Sequence, residues 1–326
     1  NWSQDDTASV ARAAFVKAKH LVGRIVDVPT PGKAIALNRG IEETETEYVV
    51  RIDADTQVLP ATLWRAMRHF SRKGVGTVGG MPLPPGGGPF DRARELGIGL
   101  HVGYAELDRA AFEDGAVRRR GYNTAILVGR DGAILGKYRK VHLPGSEQVK
   151  PGQRYQQLEK RYFAYGDLGF PAFHAFGGII GMLICNDRRW PEGWRCLALQ
   201  GAEMVLVGYN SAAYDPNGGE SESEELRTFH STLAAQANAY MNACWAVAVA
   251  KAGVEDGAGL IGGSCIVDPN GLIVAQAKTL GDEVLVADCD LDACLQGKTK
   301  MFNFAAHRRP QHYRRIVEQV GAEPPA

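Results

Sequence analysis

An apolar run, Gly181-Met182-Leu183-Ile184, ends on Cys185 and gives way at once to Asn186-Asp187-Arg188-Arg189-Trp190-Pro191-Glu192. A thiol at such a strand-to-turn corner has backbone N–H groups close by that can lower its pKa and bind an oxyanion. On its own, a cysteine that ends a buried strand is more often a packed core thiol. Two further segments carry the charges a nucleophilic thiol needs. Gly136-Lys137-Tyr138-Arg139-Lys140-Val141-His142 places cations at the end of a strand, and Gln157-Leu158-Glu159-Lys160 presents a carboxylate.

The elements that must position these groups are legible as alternating patterns. Ala125–Val128 and Ala133–Tyr138 flank Gly129-Arg130-Asp131-Gly132, a hairpin signal. Gly178–Cys185, Met204–Tyr209 and Cys244–Ala250 read as buried strands, and Glu225–Asn242 as a long helix. A second hairpin turns at Asp268-Pro269-Asn270-Gly271, and Glu283–Asp288 reads as a final strand. Upstream, Thr7–Leu21, Gly32–Glu43 and Ala61–Phe70 read as helices, with short strands at Arg24–Val28 and Tyr48–Ile52. The breaker-rich stretch from Gly79 to Pro89 separates the two regions and predicts a domain boundary. Strands this numerous, with few helices, predict two sheets each covered by helices on one face, an α/β four-layer α-β-β-α sandwich.

The 326 residues balance 37 Lys+Arg against 37 Asp+Glu, which excludes a global field aimed at nucleic acid or an anionic membrane. No run of eighteen apolar residues predicts a spanning helix. The six cysteines lie in the second half without CxxC spacing, so a zinc site or disulfide framework is not expected and a reducing cytoplasm is.

Together the three segments resemble the nitrilase superfamily of carbon-nitrogen hydrolases, and most closely its N-carbamoyl-D-amino acid amidohydrolases. Lys140 precedes Glu159 by 19 residues, and Glu159 precedes Cys185 by 26. Gly103-Tyr104-Ala105-Glu106, Gly208-Tyr209-Asn210, Phe229-His230, Gly263-Ser264-Cys265 and Phe302-Asn303-Phe304 extend the likeness from about Met81 to Val320. The resemblance implies a Cys185 nucleophile, Lys140 stabilising the oxyanion, and Glu159 positioning Lys140. It implies that Arg188 and Arg189, with Asn186 and His142, hold the substrate carboxylate, and that Asn210 and His230 line the pocket. It further implies a small-molecule N-carbamoyl amino acid substrate, no metal, no organic cofactor, and a homo-oligomer, dimer or tetramer.

That family also uses a first glutamate as general base, and no segment here supplies it; residues 81–326 lack the usual first strand–helix–strand. Residues 1–80 instead resemble part of a family 2 glycosyltransferase of GT-A type. The likeness rests on Gly32-Lys33-Ala34-Ile35-Ala36-Leu37-Asn38, Arg51-Ile52-Asp53-Ala54-Asp55-Thr56 and Val75-Gly76-Thr77-Val78-Gly79-Gly80. It implies that Asp53 and Asp55 face a nucleotide-sugar. The chain thus reads as a join near Gly79–Met81. Three readings follow: a Cys-dependent amidohydrolase folded from about residue 81, its activity reduced or lost with the missing base unless Asp53, ending a strand–helix–strand, stands in for it; a glycosyltransferase fragment that binds a nucleotide-sugar; and a folded, inactive chimera.

Overall fold

The computed structural model describes residues 7–17, 25–26, 28, 39–40, 42–43, 88–107, 121–153, 156–214, 222–255 and 257–325. Two compact units divide the chain, residues 1–82 and residues 83–326. In the first, Thr7–Lys17 forms helix α1, and Arg39, Gly40 and Glu42 are helical. Asp53 and Asp55, with the segments Tyr48–Ile52 and Ala61–Phe70, lie outside the described residues.

The second unit holds the chemistry-bearing segments. Helix α2 (Pro89–Leu96) leads into an antiparallel three-stranded sheet, β1 (Leu100–Leu107), β2 (Gly121–Val128) and β3 (Ile134–Arg139), in the order β1-β2-β3. The hairpin between β2 and β3 closes through Gly129 N to Ala133 O at 2.8 Å, with Gly132 at φ 81°. Alternation along β2 sends its side chains to two layers. Ile126 and Val128 pack with Ala93 of α2, while Ala125 and Leu127 point into the main core with Tyr138 of β3.

A six-stranded sheet forms the other half of the core. Its strands are β4 (Ala172–Ala175), β5 (Gly178–Ile184), β6 (Met204–Tyr209), β7 (Trp245–Ala250), β10 (Cys265–Val267) and β11 (Ile273–Gln276). They run in the order β11-β10-β7-β6-β5-β4, and the central β5, β6 and β7 are parallel. The hairpin β8 (Ala252–Glu255) and β9 (Ala258–Ile261) stands apart as a two-stranded sheet. Helix α3 is the short turn Glu159–Tyr162, and helices α4 (Pro191–Leu199) and α5 (Glu224–Asn242) supply the crossovers between the parallel strands. Buried Trp194 and Leu197 of α4, and Ala235 and Ala239 of α5, join the same core as β5, β6 and β7. At Gly181 a Cβ would come within 2.7 Å of the Leu197 side chain, so the glycine permits the close approach of α4 to β5. Helix α5 buries Ser231, Ala235, Asn238 and Asn242, a stripe at helical spacing, and starts on Ser223, whose side chain accepts from Leu226 N at 3.2 Å.

The C-terminal arm adds short helices α6 (Cys294–Thr299), α7 (Phe304–His307) and α8 (Arg314–Glu318). One expected element is corrected. Residues 283–288 are not a strand: Leu285 and Ala287 pack on the β7–β10 side, but Val284 and Val286 are exposed and the segment joins no ladder among the described residues. No described helix is long and apolar enough to cross a membrane.

Candidate active site

Strand β5 ends at Ile184, and the chain turns through a single 3₁₀ segment, Cys185–Arg189. Cys185 sits at φ 49°, a left-handed conformation that costs a side-chain-bearing residue free energy. The residue is 9% exposed, and its thiol donates to the Asn210 carbonyl at 3.7 Å, in the loop after β6. The remaining buried thiols are chemically quiet: burial pushes Cys244 up to about 12, and Cys265 and Cys294 up to about 11.

The turn is held by a fully buried carboxylate that sequence reasoning passed over. Asp187 accepts from Ile184 N at 3.1 Å, Tyr138 Oη at 2.7 Å and His142 N at 2.8 Å, and its Oδ1 lies 2.9 Å from His142 Nδ1. Burial first, and the Asp187 charge second, hold the Tyr138 phenol above its usual range, so it remains a donor. Asp187 therefore ties the end of β3 to the turn that carries Cys185. The signal was present, since an aspartate two residues beyond the thiol can reach back to the strand-end N–H.

Lys140 follows β3 directly and is fully buried, with Nζ 2.9 and 2.7 Å from the two carboxylate oxygens of Glu159, the first residue of α3. The two residues that the resemblance couples thus form an ion pair. Gly166 N donates to Lys140 O at 2.8 Å, and a Cβ on Gly166 would lie 2.0 Å from Arg139 O, so only glycine fits against the end of β3.

The two arginines part company. Arg189 lines the cavity onto which Cys185 opens, a small space of about 40 Å³ also bounded by Gln157, Asn210, Ser211 and Arg227. Arg188 does not. It is 1% exposed, donates to Cys185 O at 2.8 Å and Ser211 Oγ at 3.0 Å, and lies 4.0 Å over the Tyr209 ring. Arg188, expected on the substrate carboxylate, is thus placed beneath the turn, where two of its guanidinium nitrogens fasten Cys185 O and Ser211 Oγ while Nε has no hydrogen-bond partner among the described residues. Asn186 and His142 are also tied within the scaffold. Asn186 Nδ2 donates to His142 O at 3.2 Å and its Oδ1 accepts from Arg189, while the His142 ring stacks on Trp190 at 4.9 Å. Neither lines the cavity, nor do Lys140 and Glu159.

Asn210 does line it. His230 lies instead on an adjoining cavity of about 440 Å³, with Arg189 shared between the two and Glu222, Leu233, Ala234 and Ala237 on its walls. There its Nδ1 is 2.6 Å from Glu222 Oε1. Among the described residues no cluster of three or more His, Cys, Asp or Glu could hold a metal.

The described geometry can be set beside known proteins. A family model described as carbon-nitrogen hydrolase matches residues 90–298, and one described as glycosyl transferase family 2 matches residues 1–130. The chain is similar to N-carbamoylputrescine amidase of Arabidopsis thaliana, 34% identical over 238 residues, 70% of this chain and 72% of that one. A crystal structure of a carbon-nitrogen hydrolase from Helicobacter pylori G27 matches with TM-score 0.58 and 27% identity, covering 70% of this chain and 74% of that one. A glutamate-to-leucine mutant of an amidase from Nesterenkonia sp. AN1 matches with TM-score 0.51 and 25% identity over 70% and 71%. That structure shows covalent addition of the acetamide moiety of fluoroacetamide at its active site cysteine.

Proposed function

Because the chain belongs to the carbon-nitrogen hydrolase family, we propose that it hydrolyses N-carbamoyl amino acids, the D-isomers first, to the free amino acid, ammonia and carbon dioxide. One observation carries the substrate class: Cys185, on a strained turn, opens on a cavity that Arg189 also lines. A guanidinium beside the nucleophile suits a ureide with a free carboxylate, whereas the ammonium tail of N-carbamoylputrescine would meet like charge.

In this reading the Cys185 thiolate attacks the carbamoyl carbon. The C–N bond to the amino acid breaks, its nitrogen leaves with a proton as the amine, and a thiol-bound carbamoyl group remains. Water then attacks that group, regenerating the thiol and releasing carbamic acid, which divides into ammonia and carbon dioxide. The covalent adduct on the cysteine of the similar amidase supports the nucleophile. Lys140, desolvated and aimed by Glu159, supplies positive charge to the developing oxyanion. Asp53, outside the described residues, is proposed as the base that takes the thiol proton and later activates water. The reading carries with it a homo-oligomeric cytoplasmic enzyme without a metal or organic cofactor.

The experiment is ammonia release from N-carbamoyl-D-phenylglycine, its L-isomer and N-carbamoylputrescine, with Cys185→Ala as the blank. Turnover of the carboxylate-bearing D-substrate that disappears in Cys185→Ala supports the reading, and a preference for the putrescine derivative overturns it. Asp53→Asn should lower that turnover by about a hundredfold or more; unchanged turnover removes Asp53 from the mechanism.

The match of residues 1–130 to glycosyl transferase family 2 favours one second reading, a fragment that binds a nucleotide-sugar through Asp53 and Asp55. Calorimetry with a uridine-diphosphate sugar and Mn²⁺ tests it: binding lost in Asp53→Asn supports that reading, and no binding removes it.

A further inference from the structure

The loop after β6 brings a hydroxyl to the nucleophile's cavity. Ser211 lines that cavity beside Asn210, whose carbonyl accepts from the Cys185 thiol. Ser211 Oγ accepts from Arg188 Nη2 at 3.0 Å. A guanidinium has donors only, so this bond uses a lone pair of the oxygen and leaves its O–H proton unspent. Among the described residues the hydroxyl donates to nothing.

The other terminal nitrogen of the same guanidinium, Nη1, donates to Cys185 O at 2.8 Å. One rigid planar group thus spans the nucleophile's carbonyl and the Ser211 hydroxyl, and sets the one against the other. The main chain around Ser211 is fixed as well. Its carbonyl accepts from Ile261 N at 3.0 Å, Ala213 N donates to Gly259 O at 2.8 Å, and Ala212 bridges to Leu260. A donor held this way needs no reorganisation when charge develops in front of it. A cation donating to its oxygen also polarises the O–H and makes it the stronger donor.

The size of the cavity decides which part of a ligand Ser211 meets. Its volume of about 40 Å³ holds only a few water-sized groups, at ~10–15 Å³ for each. The reacting carbamoyl group fits, and the rest of the substrate stays outside. Neither Lys140 nor Arg188 lines this space, whereas Ser211 does.

We propose that Ser211 is a catalytic residue: its hydroxyl, aimed by Arg188, donates to the carbamoyl oxygen while the Cys185 sulfur bonds to the carbamoyl carbon. In that step the C–S bond forms and the C=O π pair moves onto oxygen. The pair returns as the C–N bond breaks and the amine leaves with its proton. The inference rests on the proposed thiol-bound carbamoyl intermediate and adds a hydrogen-bond donor to the charge of Lys140.

Cyanate tests it, because it reaches the same intermediate with no amine to expel. The thiolate adds to the carbon of isocyanic acid, charge spreads onto nitrogen and oxygen, and the nitrogen takes a proton. The rate at Cys185 of the full-length protein is read by mass spectrometry, together with any ammonia released, with exposed Cys196 as the reference thiol. Iodoacetamide is the control, since displacement of its iodide leaves the carbonyl oxygen uncharged. Ser211→Ala should slow the cyanate reaction by roughly tenfold to a hundredfold and the iodoacetamide reaction by less than about twofold. Ser211→Thr, which keeps the hydroxyl, should recover most of the loss. An unchanged cyanate rate, or equal slowing with both reagents, overturns the role of Ser211, and carbamoyl uptake that persists leaves the proposed function standing. A native Cys185 that takes up no carbamoyl group overturns both.

Discussion

Arg188 and Arg189 are neighbours in sequence with opposite fates, and the difference is measurable. Arg188 is sealed under the Cys185 carbonyl and the Ser211 hydroxyl, where replacement by alanine leaves buried acceptors unpaired and a void over Tyr209. Arg188→Ala should therefore cost about 3 kcal/mol of stability, read by urea denaturation. Arg189→Ala should cost less than about 1 kcal/mol and act instead on KM for a carboxylate substrate, with kcat changed little. That both arginines stand beside the thiol was legible in the sequence, but which of them faces the cavity was not, because a 3₁₀ turn sends adjacent side chains about 120° apart. Which of the two faces the cavity is decided by Tyr209 and Ser211, more than twenty positions away. The same holds for Asp187: its neighbours Cys185 and Asn186 drew the chemical reading, while its four contacts come from β3, the following loop and the end of β5.

Strand β3 serves both faces of its sheet. On the outward side Arg139 donates to both oxygens of Glu106 on β1, at 3.0 and 2.8 Å, and to Asp167, while Lys137 reaches Glu106 at 2.7 Å. The next residue, Lys140, lies on the inward side with Glu159. The Arg139 hydrogen bonds chiefly, with Lys137 and Thr124 assisting, hold the Glu106 carboxyl down at about 2 from an ordinary 4.5. A depressed carboxyl contributes stability that is complete above about pH 4.5 and lost as pH falls towards about 2. Glu106→Gln should flatten the denaturation midpoint between those pH values, and an unchanged acid limb would show that the cluster does not brace β3. Strands β5, β6 and β7 and helix α5 could be read from their patterns because long apolar runs and a long small-residue stripe have few other uses. Residues 283–288 misled for a physical reason: period-two alternation is satisfied by Leu285 and Ala287 packing inward, but a strand also requires a partner's backbone. Strand β4 escaped notice because four residues are too few for a period to show.

At the scale of the whole second unit, His101 stands between the two sheets, with its ring toward Gly208 and burial holding its pKa down at about 4. A base whose folded pKa is depressed stays neutral in the native state while the unfolded chain protonates. Stability should therefore be complete above about pH 6.5 and fall as pH drops towards about 4, by on the order of 2 kcal/mol. His101→Gln should abolish that step while leaving the lower-pH step of Glu106 in place; two steps surviving in the variant would refute the assignment. The sandwich itself was foreseeable from the number of strands, whereas a histidine in its seam was not, since His101 sits in a strand whose pattern gave no warning. The left-handed φ of Cys185 bears on the fate of the molecule under selection. At this position glycine is the residue the backbone prefers, and the thiol is kept against that preference. A population of variants bred for yield or heat resistance alone would thus drift towards losing its nucleophile, and only a screen that demands turnover at every round would retain it.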